Sequence, residues 1–183
     1  MPRFTLDRGA LEITSPGSQR ERASGTLALL IEFVAAALRT PVVSVGSMTF
    51  EREELQQGCE PDASFYIQHE LHVRDKERID PRVDPPPDLV IDVDVAHSSL
   101  DKFPVFAGLG VPEVWRWKEG QVTVFTLGDD GYRVSERSSA LPLLTGDRIS
   151  RFLAESRSRP CPDWLWAIAD WARAAAVLDD STQ

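Results

Sequence analysis

Apolar residues recur at three- and four-residue spacing in the first fifth of the chain. Ala23, Leu27, Leu30, Ile31, Val34 and Leu38 form one stripe, the periodicity of a helix that buries a single face. Ser15-Pro16-Gly17-Ser18 precedes it as turn and cap, and Leu11–Thr14 before that reads as a short strand. The period then changes to two. Strands are expected at Pro41–Val45, with Met48–Phe50 continuing or following it, at Ala63–Ile67, at Leu89–Val95 and at Glu113–Trp117. Glu51–Gly58 reads as a loop or one helical turn, and His69–Pro87, rich in charge and proline, as an irregular excursion. A helix capped by Ser99 or Asp101 is expected to run to about Leu109, with Pro104 accommodated in its first turn. Gln121–Leu127 and Tyr132–Glu136, joined through Gly128-Asp129-Asp130-Gly131, read as a hairpin. Two helices, Ile149–Ser156 and Asp163–Ala176, close the chain.

Within that pattern, Leu89-Val90-Ile91-Asp92-Val93-Asp94-Val95 is unusual. Alternation puts Val90, Asp92 and Asp94 on one face of the strand and Ile91, Val93 and Val95 on the other. Carboxylates are poor strand formers and costly when half buried. An acidic solvent face on an edge strand accounts for such a pair, and so does a divalent cation, which takes oxygen ligands from carboxylates. A second Pro-Asp step, Glu60-Pro61-Asp62, opens the strand at Ala63. The proline biases the preceding residue to extended geometry. Two neighbouring strands can thus bring two carboxylates to one metal, with Lys102 just beyond. This is the arrangement of metal-assisted phosphodiester hydrolysis. Asp88, four residues before Asp92 and roughly 13 Å away along an extended strand, is expected to fix the strand entrance instead.

The segments SPGSQRERASGTLALLIEFV, SVGSMTFEREELQQGCEPDASFYI, DPPPDLVIDVDVAHSSLDKF and GLGVPEVWRWK resemble, in order and spacing, the Uma-two family of bacterial restriction-endonuclease-like proteins in the PD-(D/E)xK nuclease superfamily. The resemblance covers about Leu11 to Leu127. It implies an α+β restriction-endonuclease-like core, a mixed central sheet flanked by helices in αβββαβ order, here with an added hairpin and C-terminal helices. It also implies a catalytic set of Glu21 on the first helix, Asp62, Asp92 and Lys102, with Asp62 and Asp92 as ligands of Mg2+ or Mn2+. The lysine normally stands two residues after the strand acid, where this chain has Asp94; Lys102 would be its migrated equivalent. Relatives usually carry glutamate at Asp92 and histidine at Arg20. As an early-helix residue, Lys102 is expected to contribute little to stability.

Length and composition add bounds. The chain has 183 residues, 42% of them hydrophobic, enough to bury a core without staples. We expect a nuclease-like domain over residues 1–148, helices over 149–178 packed on the same domain, and a tail over 179–183. Cys59 and Cys161 suggest neither a disulfide framework nor a zinc site; Cys59 reads as a small packed residue. The N-terminal MPRFTLDRGALEI lacks an apolar core of signal-peptide length and no stretch approaches a membrane span, so a cytoplasmic address is expected. A net charge of −9 argues against a general nucleic-acid binder. It leaves room for an acidic site and local cations such as Arg20, Arg22, Lys102, Arg116 and Lys118. His69 and His72 lack a third ligand nearby. Trp164, Leu165, Ile168, Trp171, Ala172 and Ala175 form a stripe that must pack on the domain or on a second subunit, and a homodimer is the expected assembly. The function expected is divalent-metal-dependent endonucleolytic cleavage of DNA. The alternative is an eroded member of the same fold serving as a binding or assembly module.

Overall fold

The computed structural model describes residues 3–15, 17–95 and 100–180. A hairpin of β1 (Arg3–Asp7) and β2 (Ala10–Thr14) leads into the long helix α1 (Ser18–Leu38). Three short strands follow, β3 (Val43–Ser44), β4 (Phe50–Arg52) and β5 (Gln57–Cys59), and then β6 (Ala63–Tyr66). The short helix α2 (Glu70–Val73) interrupts the proline-rich excursion before β7 (Leu89–Asp94). Helix α3 (Phe103–Leu109) joins β7 to β8 (Glu113–Lys118), and the hairpin β9 (Gln121–Gly128) and β10 (Gly131–Ser135) follows. Helices α4 (Gly146–Glu155) and α5 (Cys161–Asp180) complete the chain. Among the described residues, no helix is long and apolar enough to cross a membrane.

The larger sheet has strand order β10-β9-β8-β7-β6-β3. All its pairings are antiparallel except β7 with β8, and that parallel pair needs a crossover, which α3 supplies. The expected αβββαβ order is met by α1, β3, β6, β7, α3 and β8. A second antiparallel sheet, ordered β2-β1-β5-β4, differs from the expectation. Phe50 starts a strand of this second sheet rather than extending Pro41–Val45, and the segment read as a loop contains a 3-10 turn at Glu53–Leu55 followed by β5. Three-residue strands are too short to carry a period of two, and the polar Gln57 is buried in one of them.

The central strand β7 is buried on both faces, and its alternation sorts two cores. Leu89, Ile91 and Val93 pack with α1, with Trp115 and Trp117 of β8, and with α4 and α5. Val90 packs with Val105, Phe106 and Leu109 of α3 and with Phe50 and Cys59 of the second sheet. Two buried carboxylates tie loops to this frame. Asp88 accepts the Ile67 and His69 N–H groups at 2.7 and 2.9 Å and lies 2.5 Å from His69 Nδ1, which fixes the entrance to β7. Glu113 accepts Trp115 Nε1 and the Ser138 hydroxyl, each at 2.6 Å, and the Ser139 N–H at 2.5 Å.

The tryptophan-bearing stripe of α5 is docked within the chain. Trp164, Ile168 and Ala172 are buried in the main core, and Trp164 Nε1 donates to the Phe152 carbonyl at 2.8 Å. Helix α5 runs through Asp180, two residues into the segment expected as a tail; residues 181–183 and the Ala96–Ser99 turn lie outside the described residues. Because Ile168 is fully enclosed, Ile168→Ala should destabilise the protein by about 3 kcal/mol, from lost apolar burial plus the cavity left behind. Urea unfolding should show a lower midpoint with an unchanged slope; an unchanged midpoint would mean that α5 is not docked as described.

Candidate active site

Strand β6 ends its pairing with β7 at Ala63 opposite Ile91. One residue earlier, the Asp62 N–H still donates to the Ile91 carbonyl at 2.9 Å, so the register sets Asp62 opposite Asp92. Pro61 ends the ladder there, since proline has no N–H to give. On the far side of β7, the parallel register pairs Asp92 with Arg116 of β8. Lys102 is itself the N-cap residue of α3 and makes no side-chain cap bond; Asp101 Oδ1, one residue earlier, accepts the Phe103 N–H at 3.1 Å.

The four expected site residues fall along the β6–β7 seam in two groups, Asp92 with Lys102, and Asp62 with Glu21 through a shared arginine. Asp92 is 3% exposed. Its Oδ1 accepts Lys102 Nζ at 2.8 Å and its Oδ2 accepts Arg116 Nε at 2.9 Å. Asp62 is 5% exposed; Oδ2 accepts the Val93 N–H at 2.7 Å, and Oδ1 faces the Arg3 guanidinium and Arg20 Nε, the latter at 3.4 Å. Arg3 reaches on to Glu21 Oε1 at 2.9 Å, so one guanidinium bridges the helix acid and the strand acid. Glu21 itself is half exposed, at the rim. Asp94, on the Asp92 face, turns instead to Lys118 at 3.0 Å.

Burial acts to raise the Asp92 pKa, but the Lys102 ammonium and the Arg116 guanidinium, through charge and hydrogen bonds, outweigh it, and the net direction is down. Burial likewise drives the Arg3 pKa down, against the pull of Glu21. Cys59 sits close enough to feel both Lys102 and Asp92. Burial dominates there and pushes its thiol up to about 12, so it stays protonated at neutral pH and serves as packing.

Two features of this site are absent from the sequence reading. Arg3 is one of them, brought in by the first strand, whose signal in the sequence is the alternation Arg3-Phe4-Thr5-Leu6-Asp7. From sequence alone Arg116 is only a local cation. Its position between Trp115 and Trp117 puts it on the strand face opposite the core, and its guanidinium lies 3.8 Å over the Phe103 ring, against the helix that delivers Lys102. Arg20 donates Nε and Nη2 to the Val93 carbonyl at 3.0 and 2.7 Å. Lys102 corrects one expectation outright. It is 7% exposed and ion-paired, so removing it leaves half the charge on Asp92 uncompensated and costs stability. Among the described residues, no three His, Cys, Asp or Glu side chains gather as a metal-binding group.

Set beside known proteins, residues 1–153 match the family model described as "Uma2: Putative restriction endonuclease". A solved structure, titled as a putative nuclease belonging to DUF820 from Anabaena variabilis ATCC 29413, superposes with a TM-score of 0.50 at 12% identity, covering 82% of this chain and 90% of that one. At that identity the likeness establishes the fold. No curated protein matches.

The depressed Asp92 pKa has a consequence for stability. Its pairing is fully present above the unfolded carboxyl value of about 3.9 and is lost as pH falls through the lower folded value. The urea midpoint of the wild type should therefore decline steeply below about pH 4. Asp92→Asn, less stable at neutral pH, should show a shallower decline over that window. Equal acid slopes in the two proteins would contradict the assigned pairing.

Proposed function

The chain belongs to the Uma2 family, and from that membership together with the Asp62–Asp92 seam we propose a divalent-metal-dependent endonuclease that hydrolyses phosphodiester bonds in DNA. The observation that carries the reading is the buried Asp92–Lys102 pair, on the strand beside Asp62. A carboxylate and an ammonium taken out of water return little net stability, so an account by folding alone is incomplete.

The donor chemistry fits Mg2+ or Mn2+. It consists of carboxylate oxygens without thiolate or imidazole, and Arg3 already shows that a positive group is accommodated between Glu21 and Asp62. Asp62 and Asp92 would hold the cation, with Glu21 acting from the rim through a ligand water. When bound, the metal supplies charge neutralisation at the phosphoryl group and a more acidic water. The chain's own residues do the rest. Arg20 and Asp62 hold the end of β7 in place. Arg116 fixes Asp92 from the second oxygen and leaves the first to Lys102. The Lys102 ammonium, held 2.8 Å from Asp92, can steady a phosphoryl oxygen as charge builds on it, or order the attacking water.

One observation favours a second reading. Every carboxylate oxygen of Asp62 and Asp92 already accepts from an internal donor, as in a self-neutralised site retained in a binding or assembly module. Cleavage assays on supercoiled DNA with Mg2+ or Mn2+ separate the two. Lys102→Arg keeps a cation for Asp92 but gives up the ammonium's chemistry. It should remain folded while losing about 10²-fold or more in cleavage; Lys102→Ala should lose cleavage and stability together. Asp92→Glu, the residue relatives usually carry, should keep or raise cleavage. A folded wild type without cleavage in either metal, and an Asp92→Glu protein that gains none, would leave the binding-module reading in possession.

A further inference from the structure

A groove of about 630 Å³ runs between α1 and the C-terminal end of α4, floored by Trp117. None of Glu21, Asp62, Asp92 and Lys102 lines it. Polar and basic side chains stand in its walls: Gln19, Arg22 and Thr26 from one face of α1, Ser156 and Arg157 from the turn that follows α4. The protein carries 29 acidic residues against 20 lysines and arginines. Yet among the described residues that line this groove there is no carboxylate. Arg22 and Arg157 are exposed, and among the described residues neither has an ion-pair partner within 4.0 Å. Arginines elsewhere that face the site, Arg3, Arg20 and Arg116, are all paired. In a chain of net charge −9, a groove whose described lining carries two guanidinium groups and no carboxylate is a place where a negatively charged chain can lie.

Its position relates it to the seam. Trp117 pairs directly with Val93, the residue whose N–H and carbonyl are held by Asp62 and Arg20. Arg22 follows Glu21 on α1. The groove and Asp92 thus lie at the same end of β7 and β8 but on opposite faces of the sheet, the groove on the α1 side and Asp92 on the α3 side. The start of α1 contributes as well, since Gly17 gives no side-chain cap to its first N–H groups and that end of the helix carries partial positive charge.

We propose that this groove is the track for the sugar-phosphate backbone of the nucleic acid, with Arg22 and Arg157 contacting phosphates on the way to the Asp62–Asp92 seam. The proposal rests on the nuclease reading and adds where the substrate lies. Arginine suits the task, because its planar fork donates paired N–H groups to two phosphate oxygens. Contacts of this kind are independent of base sequence and salt-sensitive.

The test uses the full chain and a fluorescein-labelled DNA duplex, followed by anisotropy over a range of salt in EDTA, with cleavage of the same duplex measured separately in Mg2+. Arg22→Glu/Arg157→Glu should weaken binding at least tenfold, and the slope of log affinity against log salt should shrink by about 2, one for each lost phosphate contact. Arg133→Glu/Arg173→Glu changes net charge equally on exposed residues away from the groove and should weaken binding far less. Arg22→Gln/Arg157→Gln, which cannot repel phosphate, should show the same loss of slope, and matching thermal midpoints exclude unfolding. If the wild type binds and cleaves DNA while the groove variants match it in affinity and slope, the track is refuted and the nuclease reading stands. If both charge-reversed pairs weaken binding alike, net charge explains the effect and the track is again refuted. A wild type that neither binds nor cleaves DNA, but binds poly-glutamate through Arg22 and Arg157, would refute both and identify an acidic polypeptide as the occupant.

Discussion

The organisation of this protein depends on how the end of β7 is held after β6 has stopped. On the β6 side the ladder stops at Ala63, yet the backbone groups of Val93 remain directed to that side and buried groups need partners. Asp62 takes the N–H at 2.7 Å and Arg20 takes the carbonyl at 2.7 and 3.0 Å. Ser24 of α1 donates to the Asp62 carbonyl at 2.9 Å, so the helix, the strand end and the central strand lock at one point. A slip of one residue would turn Asp92 to the α1 core and expel Val93 from it. Register and site geometry are thus a single constraint.

That constraint creates an electrostatic demand. Two carboxylates almost without access to water stand at opposed positions of the β6–β7 register, and a buried charge needs a partner of opposite sign. Arg3 and Arg20 answer Asp62, and Lys102 and Arg116 answer Asp92. These cations come from β1, α1, β8 and the start of α3, which gives the second sheet a purpose. By pairing with β5, whose Gln57 and Cys59 lie beneath α3, β1 carries Arg3 to a site that the larger sheet alone leaves open. Beside α1, the groove differs from this arrangement: among the described residues its Arg22 and Arg157 have no ion-pair partner, whereas both aspartates have one.

Much of this was legible in the sequence. The stripe from Leu27 to Val34 and the alternation through Val90, Asp92 and Asp94 found α1 and β7, because long, strongly periodic segments outlast the uncertainty of their ends. The Pro-Asp step at Asp62 marked a strand start because proline cannot extend a ladder. Lys102 was carried by its resemblance to a motif, and its burial was not foreseen: whether an early-helix lysine is solvated depends on what the helix packs against. Arg116 and Arg3 escaped for a related reason. Each meets its aspartate across a strand pairing, Arg116 through the β7–β8 register and Arg3 through a sheet of short strands, and pairing partners are not written in local periodicity. The C-terminal stripe announced burial without saying against what; α1 and the Phe152 neighbourhood supply the answer.

The account stands or falls on whether the seam takes a divalent cation. Diffraction from crystals soaked in manganese, recorded at a wavelength where manganese scatters anomalously, measures this most directly. The account predicts an anomalous peak between Asp62 and Asp92, with metal–oxygen distances of about 2.0–2.6 Å and the Arg3 guanidinium displaced from Asp62. A map without that peak, in which Asp62 keeps Arg3 and Asp92 keeps Lys102 and Arg116, would contradict it.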